Sequence, residues 1–180
     1  MHRLVYAVLI GLIGAGIVHI AILFLLPHFS ERDAWSRLAL AADFYRMVRL
    51  DSTLGDAAGV RSADPLFRAV ACRFDLQDGV VHVRAPGKVP FWSVSVYDRG
   101  GQNIYSFNDR ASDTATLDFA VLTPDQMIEL RKQLPEELEH TIFVETPLDE
   151  GILVVRSFVP DPSWSRIVEA FLSQTSCEAI

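Results

Sequence analysis

Residues 91–97 read Phe-Trp-Ser-Val-Ser-Val-Tyr, and this stretch decides the fold class. The apolar side chains of Trp92, Val94 and Val96 alternate with two serines. Successive side chains of a β-strand point to opposite faces, so a period of two predicts a strand with one apolar and one polar face. The domain that carries this strand is therefore expected to be rich in β-structure.

Similar patterns on both sides predict six further strands: Ala69–Leu76, Val80–Ala85, Asn103–Phe107, a run around residues 117–121, Thr141–Glu145 and Ile152–Val159. An Asp-Gly turn signal between the first two predicts that they form a hairpin. The last run is apolar on both faces, which is typical of a central strand. The prediction is an α+β fold: an antiparallel sandwich or jelly-roll-like domain with peripheral helices.

Three helices are expected around these strands. Asp33 to Leu50 has an apolar stripe and is predicted to form an amphipathic helix just outside a membrane. Thr123-Pro124-Asp125-Gln126 combines a capping threonine, an early proline and a glutamine that can complete a capping box. Asp161-Pro162 opens the last helix. The predicted division is a span over 4–26, a helix and linker over 28–60, and a β-rich domain over 61–180.

Leu4 to Leu26 contains no Asp, Glu, Lys or Arg over 23 residues, and Pro27 is expected to end it. A helix of that length reaches ~34 Å, enough to cross the ~30 Å core of a lipid bilayer. A signal peptide has an apolar region of roughly 7–15 residues and a small-residue cleavage site, so a retained anchor is favoured over a cleaved signal. Arginines flank the span on both sides and do not settle its orientation. A short N-terminal tail usually stays inside, which predicts a single-pass inner-membrane protein with a periplasmic domain.

Small side chains recur every four residues within the span, at Ala7, Gly11 and Ala15, and His19 continues this face. The pattern suits a helix–helix contact, either self-association or contact with a companion membrane protein. Gly and Ala are also common in membrane helices for other reasons, and that alternative stays open.

The chain has a net charge of −7, and all 23 acidic residues follow the span. An acidic domain is a poor binder of nucleic acid. The five histidines are scattered and no C-x-x-C is present, so neither a metal nor another cofactor is predicted. Cys72 and Cys177 can form a disulfide if the domain is exported, and two unpaired thiols are the equal alternative.

No H-E-x-x-H, G-x-S-x-G or phosphate-binding glycine loop occurs, which favours a protein without catalytic activity. The most polar cluster lies at the two ends of the strand 103–107 and contains Asp98, Arg99, Asn103, Asn108 and Arg110. An arginine there can grip a carboxylate, which would make the protein a small-ligand binder or a hydrolase-like enzyme. A solvated pair of turns is the other interpretation.

Three segments carry a family resemblance: Phe74-Asp75-Leu76 with Val80–Val83, then Pro90–Asp98, then Ile142-Phe143-Val144 with Val154-Val155-Arg156. Together they resemble the bacterial domain of unknown function 1254 and its companion, domain of unknown function 1214, over about residues 60–165. The resemblance implies a β-rich architecture and, in short members, an N-terminal membrane anchor.

The resemblance implies no established activity. Larger members of the first family carry an asparagine-arginine-aspartate-threonine motif, where this chain has Ala63-Asp64-Pro65-Leu66. Only the aspartate is retained, so no catalytic residue can be assigned. The function expected from the sequence is a membrane-anchored, non-catalytic module that binds a protein partner or belongs to the cell envelope.

Overall fold

The computed structural model describes residues 2–50, 64, 66–112 and 116–180, apart from the side chains of residues 26–33. Its helices are α1 (His2–Ala41), α2 (Pro124–Lys132) and α3 (Ser165–Ser173). Its strands are β1 (Val48–Arg49), β2 (Phe67–Asp75), β3 (Val81–Ala85), β4 (Trp92–Asp98), β5 (Asn103–Asn108), β6 (Leu117–Leu122), β7 (Ile142–Glu145), β8 (Glu150–Phe158) and β9 (Ser176–Ala179). Short 3₁₀ turns occupy Asp109–Ala111, Glu136–Leu138 and Pro162–Trp164.

The strands form two sheets. The first sheet has the order β1-β2-β8-β4-β5, and the second has the order β7-β6-β3-β9. All neighbours are antiparallel except β6 and β7, which are parallel. The predicted α+β fold with antiparallel-rich sheets and several helices is confirmed, and β8 is a central strand as its apolar pattern indicated.

One apolar layer joins the inner faces of the two sheets. Trp92, Val94 and Val96 of β4 all point into it, as their alternation predicted. The Phe107 ring of β5 meets the Trp92 ring edge-on at 5.9 Å and the Phe119 ring of β6 at 5.4 Å. The contact between Phe107 and Phe119 crosses the layer and helps to fix how the sheets face each other.

The predicted hairpin of β2 and β3 is wrong. β2 pairs with β1 and β8, whereas β3 pairs with β6 and β9, so the two strands belong to different sheets. The Asp78-Gly79 turn carries the chain from one sheet to the other, and Gly79 adopts a φ of 148°. A local turn signal cannot distinguish these two outcomes, since both reverse the chain.

A disulfide joins the sheets on one side of the sandwich. Cys72 of β2 and Cys177 of β9 are bonded, with 6.7 Å between their Cα atoms and a sequence separation of 105. α3 leads directly into β9 and buries Val168, Phe171 and Leu172 against the same apolar layer. The side formed by β2 and β9 is therefore closed both covalently and by packing.

α2 covers the outer face of the second sheet. Met127 packs against Ala120 and Leu122 of β6. The predicted capping box is confirmed, because the Gln126 amide donates to the Thr123 hydroxyl at 3.2 Å and the Thr123 amide donates to the Gln126 side chain at 2.9 Å. This helix begins where the sequence placed it.

The end of α1 covers the outer face of the first sheet. Trp35 and Leu38 lie on Ala71 and Ile152, although the sequence predicted that Pro27 would end the helix. The helix instead runs through this proline to Ala41. The helix predicted from Asp33 to Leu50 therefore ends nine residues early, and β1 pairs with β2 in its place.

Arg73 fastens this helix end to the sheet. Its guanidinium lies 5.2 Å from the centre of the Trp35 ring and 4.5 Å from that of Phe44, and it donates to the Ala42 carbonyl at 2.8 Å. Arg99 approaches the Trp35 ring at 5.4 Å. Burial lowers the pKa of Arg73, opposed by the charges of Asp43 and Glu150. Cation–π contacts gain strength when they are shielded from water.

The turn between α1 and β1 is fixed by Tyr45. Its φ of 61° lies in the left-handed region, which a bulky residue rarely adopts. Its hydroxyl lies 2.6 Å from the Asp75 carbonyl and 2.8 Å from the Asp78 carboxylate. Burial, followed by the Asp78 hydrogen bond, raises the pKa of Tyr45 to about 12, so the hydroxyl stays protonated.

His2–Leu25, by length and composition, can cross a membrane. Its side chains are exposed, including the small-residue face at Ala7, Gly11 and Ala15. The contact predicted for that face and for His19 stays a prediction. The domain limits drawn at residues 28, 60 and 61 also stay predictions, and residues 51–63 lie outside the described part of the chain.

We expect the variant Cys72→Ala/Cys177→Ala to lose about 3–5 kcal/mol of unfolding free energy, because the bond closes a long loop in the unfolded chain. Thermal unfolding of the full chain, followed by near-ultraviolet circular dichroism, measures this loss. The wild-type protein in reductant should behave like the variant. Two free thiols in the purified, unreduced protein would contradict the assignment.

The pair Leu38→Ala and Leu40→Ala tests the docking of α1, because Leu38 is 4% exposed and Leu40 is 88% exposed on the same helix. The first change should cost about 2–5 kcal/mol and speed amide hydrogen exchange in residues 34–50. The second change should leave exchange unaltered. Equal exchange in both variants would mean that the helix end does not pack on the sheet.

Candidate functional site: the open side of the sandwich

The polar residues singled out by the sequence fall into two separate groups. Asp98 is the last residue of β4 and Arg99 begins the turn that follows, whereas Asn108 and Arg110 lie at the far end of β5. A strand rises about 3.3 Å per residue, so the six residues of β5 put roughly 15 Å or more between the groups. Asn103 stands at the start of β5, nearer to the first group. The structure does not bring the five residues to one point.

The first group lies beside a shallow depression of about 380 Å³. Asp98 accepts a hydrogen bond from the Gln102 amide at 2.8 Å, which shapes the turn. Arg99 pairs with Glu150 at 3.2 Å, and Asp149 also lines the depression. The surface therefore carries three carboxylates and one arginine that is already engaged, a poor arrangement for gripping an anion.

The second group is occupied with local structure. Asn108 caps the 3₁₀ turn by accepting from the Arg110 amide at 3.1 Å. At the start of β5, the side-chain amide of Asn103 donates to the Ser106 hydroxyl at 2.9 Å, and that hydroxyl donates to the Ser95 hydroxyl at 3.0 Å. These local hydrogen bonds engage most of the polar side chains that the sequence shows in this segment.

One titratable pair was not predicted. His82, which is buried, hydrogen-bonds through Nε2 to Asp118 at 2.8 Å, and Thr141 donates to the same carboxylate oxygen at 2.8 Å. Alternation along β3 and β6 places both side chains on one face, a signal visible only once these strands are known to pair. Among the residues that the structure describes, no group of three potential ligands could hold a metal ion.

The feature that sequence reasoning missed is an unprotected sheet edge. The edge strands of the two sheets are β1, β5, β7 and β9. β1 has only two residues, and β7 and β9 have four each and carry Glu145 and Glu178. β5 has six residues, no charge and no proline, and it exposes 37% of Ile104 and 45% of Tyr105. Short length and charge are the usual protections of an edge, and β5 lacks both.

A bulge interrupts the edge only at its start. The pairing of β4 with β5 shifts between Val96 and Tyr97, which leaves Ile104 as the extra residue. Beyond it, Tyr105 to Asn108 pair regularly with β4. Within the described part of the chain no second strand pairs with β5, so one row of its backbone amides and carbonyls faces outward.

The β5 edge lies on the side opposite to the disulfide. Because β2 faces β9, the two sheet orders place β5 on the same side as β7. Beside β7 lies an apolar groove of about 410 Å³, between this strand and α2. Leu130, Leu134 and Phe143 line it. We call β5, β7 and this groove the open side of the sandwich.

Two solved structures share the fold. The VPA0106 protein from Vibrio parahaemolyticus is 12% identical with a TM-score of 0.59, and 84% of this chain matches 35% of that one. An uncharacterised protein from Burkholderia cenocepacia is 13% identical with a TM-score of 0.50, and 83% of this chain matches 39% of it. The chain thus spans little more than a third of either relative, and identities this low establish the fold alone.

No curated protein matches the chain. The family model described as "Protein of unknown function (DUF1254)" matches residues 68–179, which is more than half of the chain. The matched region begins in β2 and ends in β9, so it covers both sheets apart from the short strand β1, and it includes the disulfide. This agrees with the resemblance noted in the sequence, while the companion family stays a prediction. The chain belongs to the family of proteins of unknown function named DUF1254.

Proposed function

We propose that this protein is a single-pass inner-membrane protein whose periplasmic β-sandwich binds an extended segment of a protein partner. The observation that carries the proposal is the unprotected edge of β5. An extended peptide can add to such an edge as one more strand, with main-chain hydrogen bonds giving affinity. Exposed Ile104 and Tyr105 would give the contact apolar area and some selectivity.

The chemistry of the described residues supports binding over catalysis. Ser95 donates no proton to a base and is instead the acceptor of the Ser106 hydroxyl. The ring nitrogen Nε2 of His82 is engaged by Asp118, and the residue is only 5% exposed. A nucleophile needs a base within hydrogen-bond reach and access to substrate, and neither residue has both. The partner is a companion membrane protein or a second copy of the chain.

Export of the domain is supported by the paired cysteines. Disulfides persist in oxidising compartments such as the periplasm and are rare in the cytosol. Cys72 and Cys177 are buried between the sheets, and a chain kept in the cytosol would carry them as thiols. This argument is independent of the arginines that flank α1, which left the orientation open.

Retention of the anchor is supported by the exposed apolar surface of α1. Large aliphatic side chains from Leu4 to Leu25 are more than half exposed, which a water-soluble domain rarely tolerates over such a length. The same helix continues to Trp35 and Leu38, which pack on the first sheet. The anchor would hold the domain close to the bilayer, where a membrane partner is accessible.

To test the edge, a photo-crosslinking amino acid is placed at Tyr105 in intact membranes. We expect Ile104→Lys to reduce the crosslinked product about tenfold, because a lysine on an edge disfavours strand addition. Ile128→Lys is the matched control, since Ile128 is 59% exposed on α2, and it should leave the product unchanged. The proposal would be refuted if only monomer were found with every variant and also with the chain that carries the crosslinker and no other substitution.

The mass of the crosslinked product distinguishes a second copy from a different chain. With the purified partner, strand addition should slow amide hydrogen exchange at Tyr105–Asn108 specifically. Slowing at other segments with no change in β5 would mean that the partner binds elsewhere.

The proposed orientation predicts that a C-terminal reporter that is active only outside the cytoplasm gives signal. Cys72 and Cys177 should resist a thiol reagent in cells unless a reductant is added first. A silent but well-expressed fusion, together with thiols that react without reduction, would reverse the orientation.

A further inference from the structure

A second concave surface lies at the end of the sandwich where β3 leads into β4. α3 forms one wall, and the loop with Gly87 and Lys88 forms the other. The groove measures about 400 Å³, within the range of small-molecule sites. Its walls contain no strand edge, so it is unrelated to the β5 surface.

The base of the groove is apolar. Ile167, Ala170 and Phe171 line it and share one face of α3, because residues three and four apart are neighbours on a helix. Phe171 is part of the main apolar layer, whereas Ile167 is 46% exposed. A Cβ atom placed on Gly87 would meet nothing within 4 Å, so the loop leaves free space on its side.

The charge of this groove differs from that of its neighbours. Lys88 and Arg166 line it, and no acidic residue does. Three other depressions of similar size, in the same described part of the chain, each contain at least one carboxylate. Neither cation has a carboxylate within 4.0 Å among the described residues. The groove therefore combines two unpaired cations with an apolar floor, although the chain as a whole has a net charge of −7. These features determine which kind of molecule can bind there.

We infer that this groove binds an amphiphilic anion, a carboxylate or phosphate that carries a hydrocarbon chain. The anionic head would lie between Lys88 and Arg166, where an arginine fork suits an oxyanion. The hydrocarbon part would cover Ile167 and Ala170. Ser163, at the end of the groove, already donates its hydroxyl to Asp161 at 2.6 Å, so the head is held by the two cations.

The test uses the full chain in nanodiscs of zwitterionic lipid and a fatty acid with a diazirine on its chain. Peptide mass mapping locates the photolabel. Decanoate and decanol serve as competitors. Their hydrocarbon parts are of the same length, but only decanoate carries a negative charge. A second set of discs contains phosphatidylglycerol, which distinguishes a membrane lipid from a free amphiphile as the source of the anion.

We expect the label on α3 and on the loop that contains Gly87. Decanoate should displace it and decanol should not. Lys88→Gln/Arg166→Gln should reduce labelling about tenfold at subsaturating probe, since two weak ion pairs together supply about that factor. Arg131→Gln/Lys132→Gln removes the same charge from α2 and should label like the wild type. Displacement by phosphatidylglycerol would identify the lipid as the source.

Equal labelling of the Lys88→Gln/Arg166→Gln variant would overturn the inference, as would equal displacement by decanol. A label confined to α1 would do the same, since that is where an unbound fatty acid in the disc would react. Ala170→Trp keeps both cations and fills the floor, and it should also abolish labelling. Unchanged thermal unfolding of each variant confirms that folding is intact.

Discussion

The apolar layer between the two sheets is the constraint on which every other feature depends. β4 and β8 cross the middle of the first sheet, and their inward valines and Leu153 are fully buried against β3 and β6. Because a one-residue slip in the pairing of a strand would turn all its buried side chains to the opposite face, this layer fixes the register of the strands it contains. The disulfide, the covering helices and the free edges then take positions that the layer has already set.

The first sheet buries apolar side chains on both faces. Ala69 and Ala71 of β2, with Ile152 of β8, point away from the layer and are covered by Trp35 and Leu38 of α1. The small alanines let the helix approach the sheet closely, and Arg73 completes the contact by stacking on the Trp35 ring. One Arg73 nitrogen, Nε, is buried without a partner, so the stack costs some hydrogen bonding. The long N-terminal helix α1 is thus fixed to the domain by packing as well as by covalent continuity.

The sequence pattern predicted seven of the nine strands that the structure describes, missed β1 and β9, and predicted strand partners poorly. Alternation is a local property, so β4, β6 and β8 could be found from single runs of residues. Pairing is non-local, and Asp78-Gly79 looked like a hairpin turn although it joins two sheets. Gly151 lies in β8, where the Phe74 ring and the Tyr97 carbonyl leave no room for a larger side chain. Pro27 was expected to end α1, yet the helix continues through it. The polar cluster can be recognised in the sequence, because it depends only on the type of each residue. The position of β5 at a sheet edge follows only from the complete strand order.

The two sides of the sandwich differ in a way that stability alone does not explain. On one side a covalent bond, α3 and short charged edges restrict both unfolding and unwanted pairing. On the other side β5 keeps a six-residue, uncharged edge with an exposed isoleucine and tyrosine. Such an edge invites aggregation, and a single lysine would suppress it at little cost to folding. Among the strands that the structure describes, three edges are protected and β5 is left available, which is best understood if that edge has a use. The proposed anchor would favour this use, because confinement to a bilayer would raise the effective concentration of a membrane partner and let a short strand contact suffice.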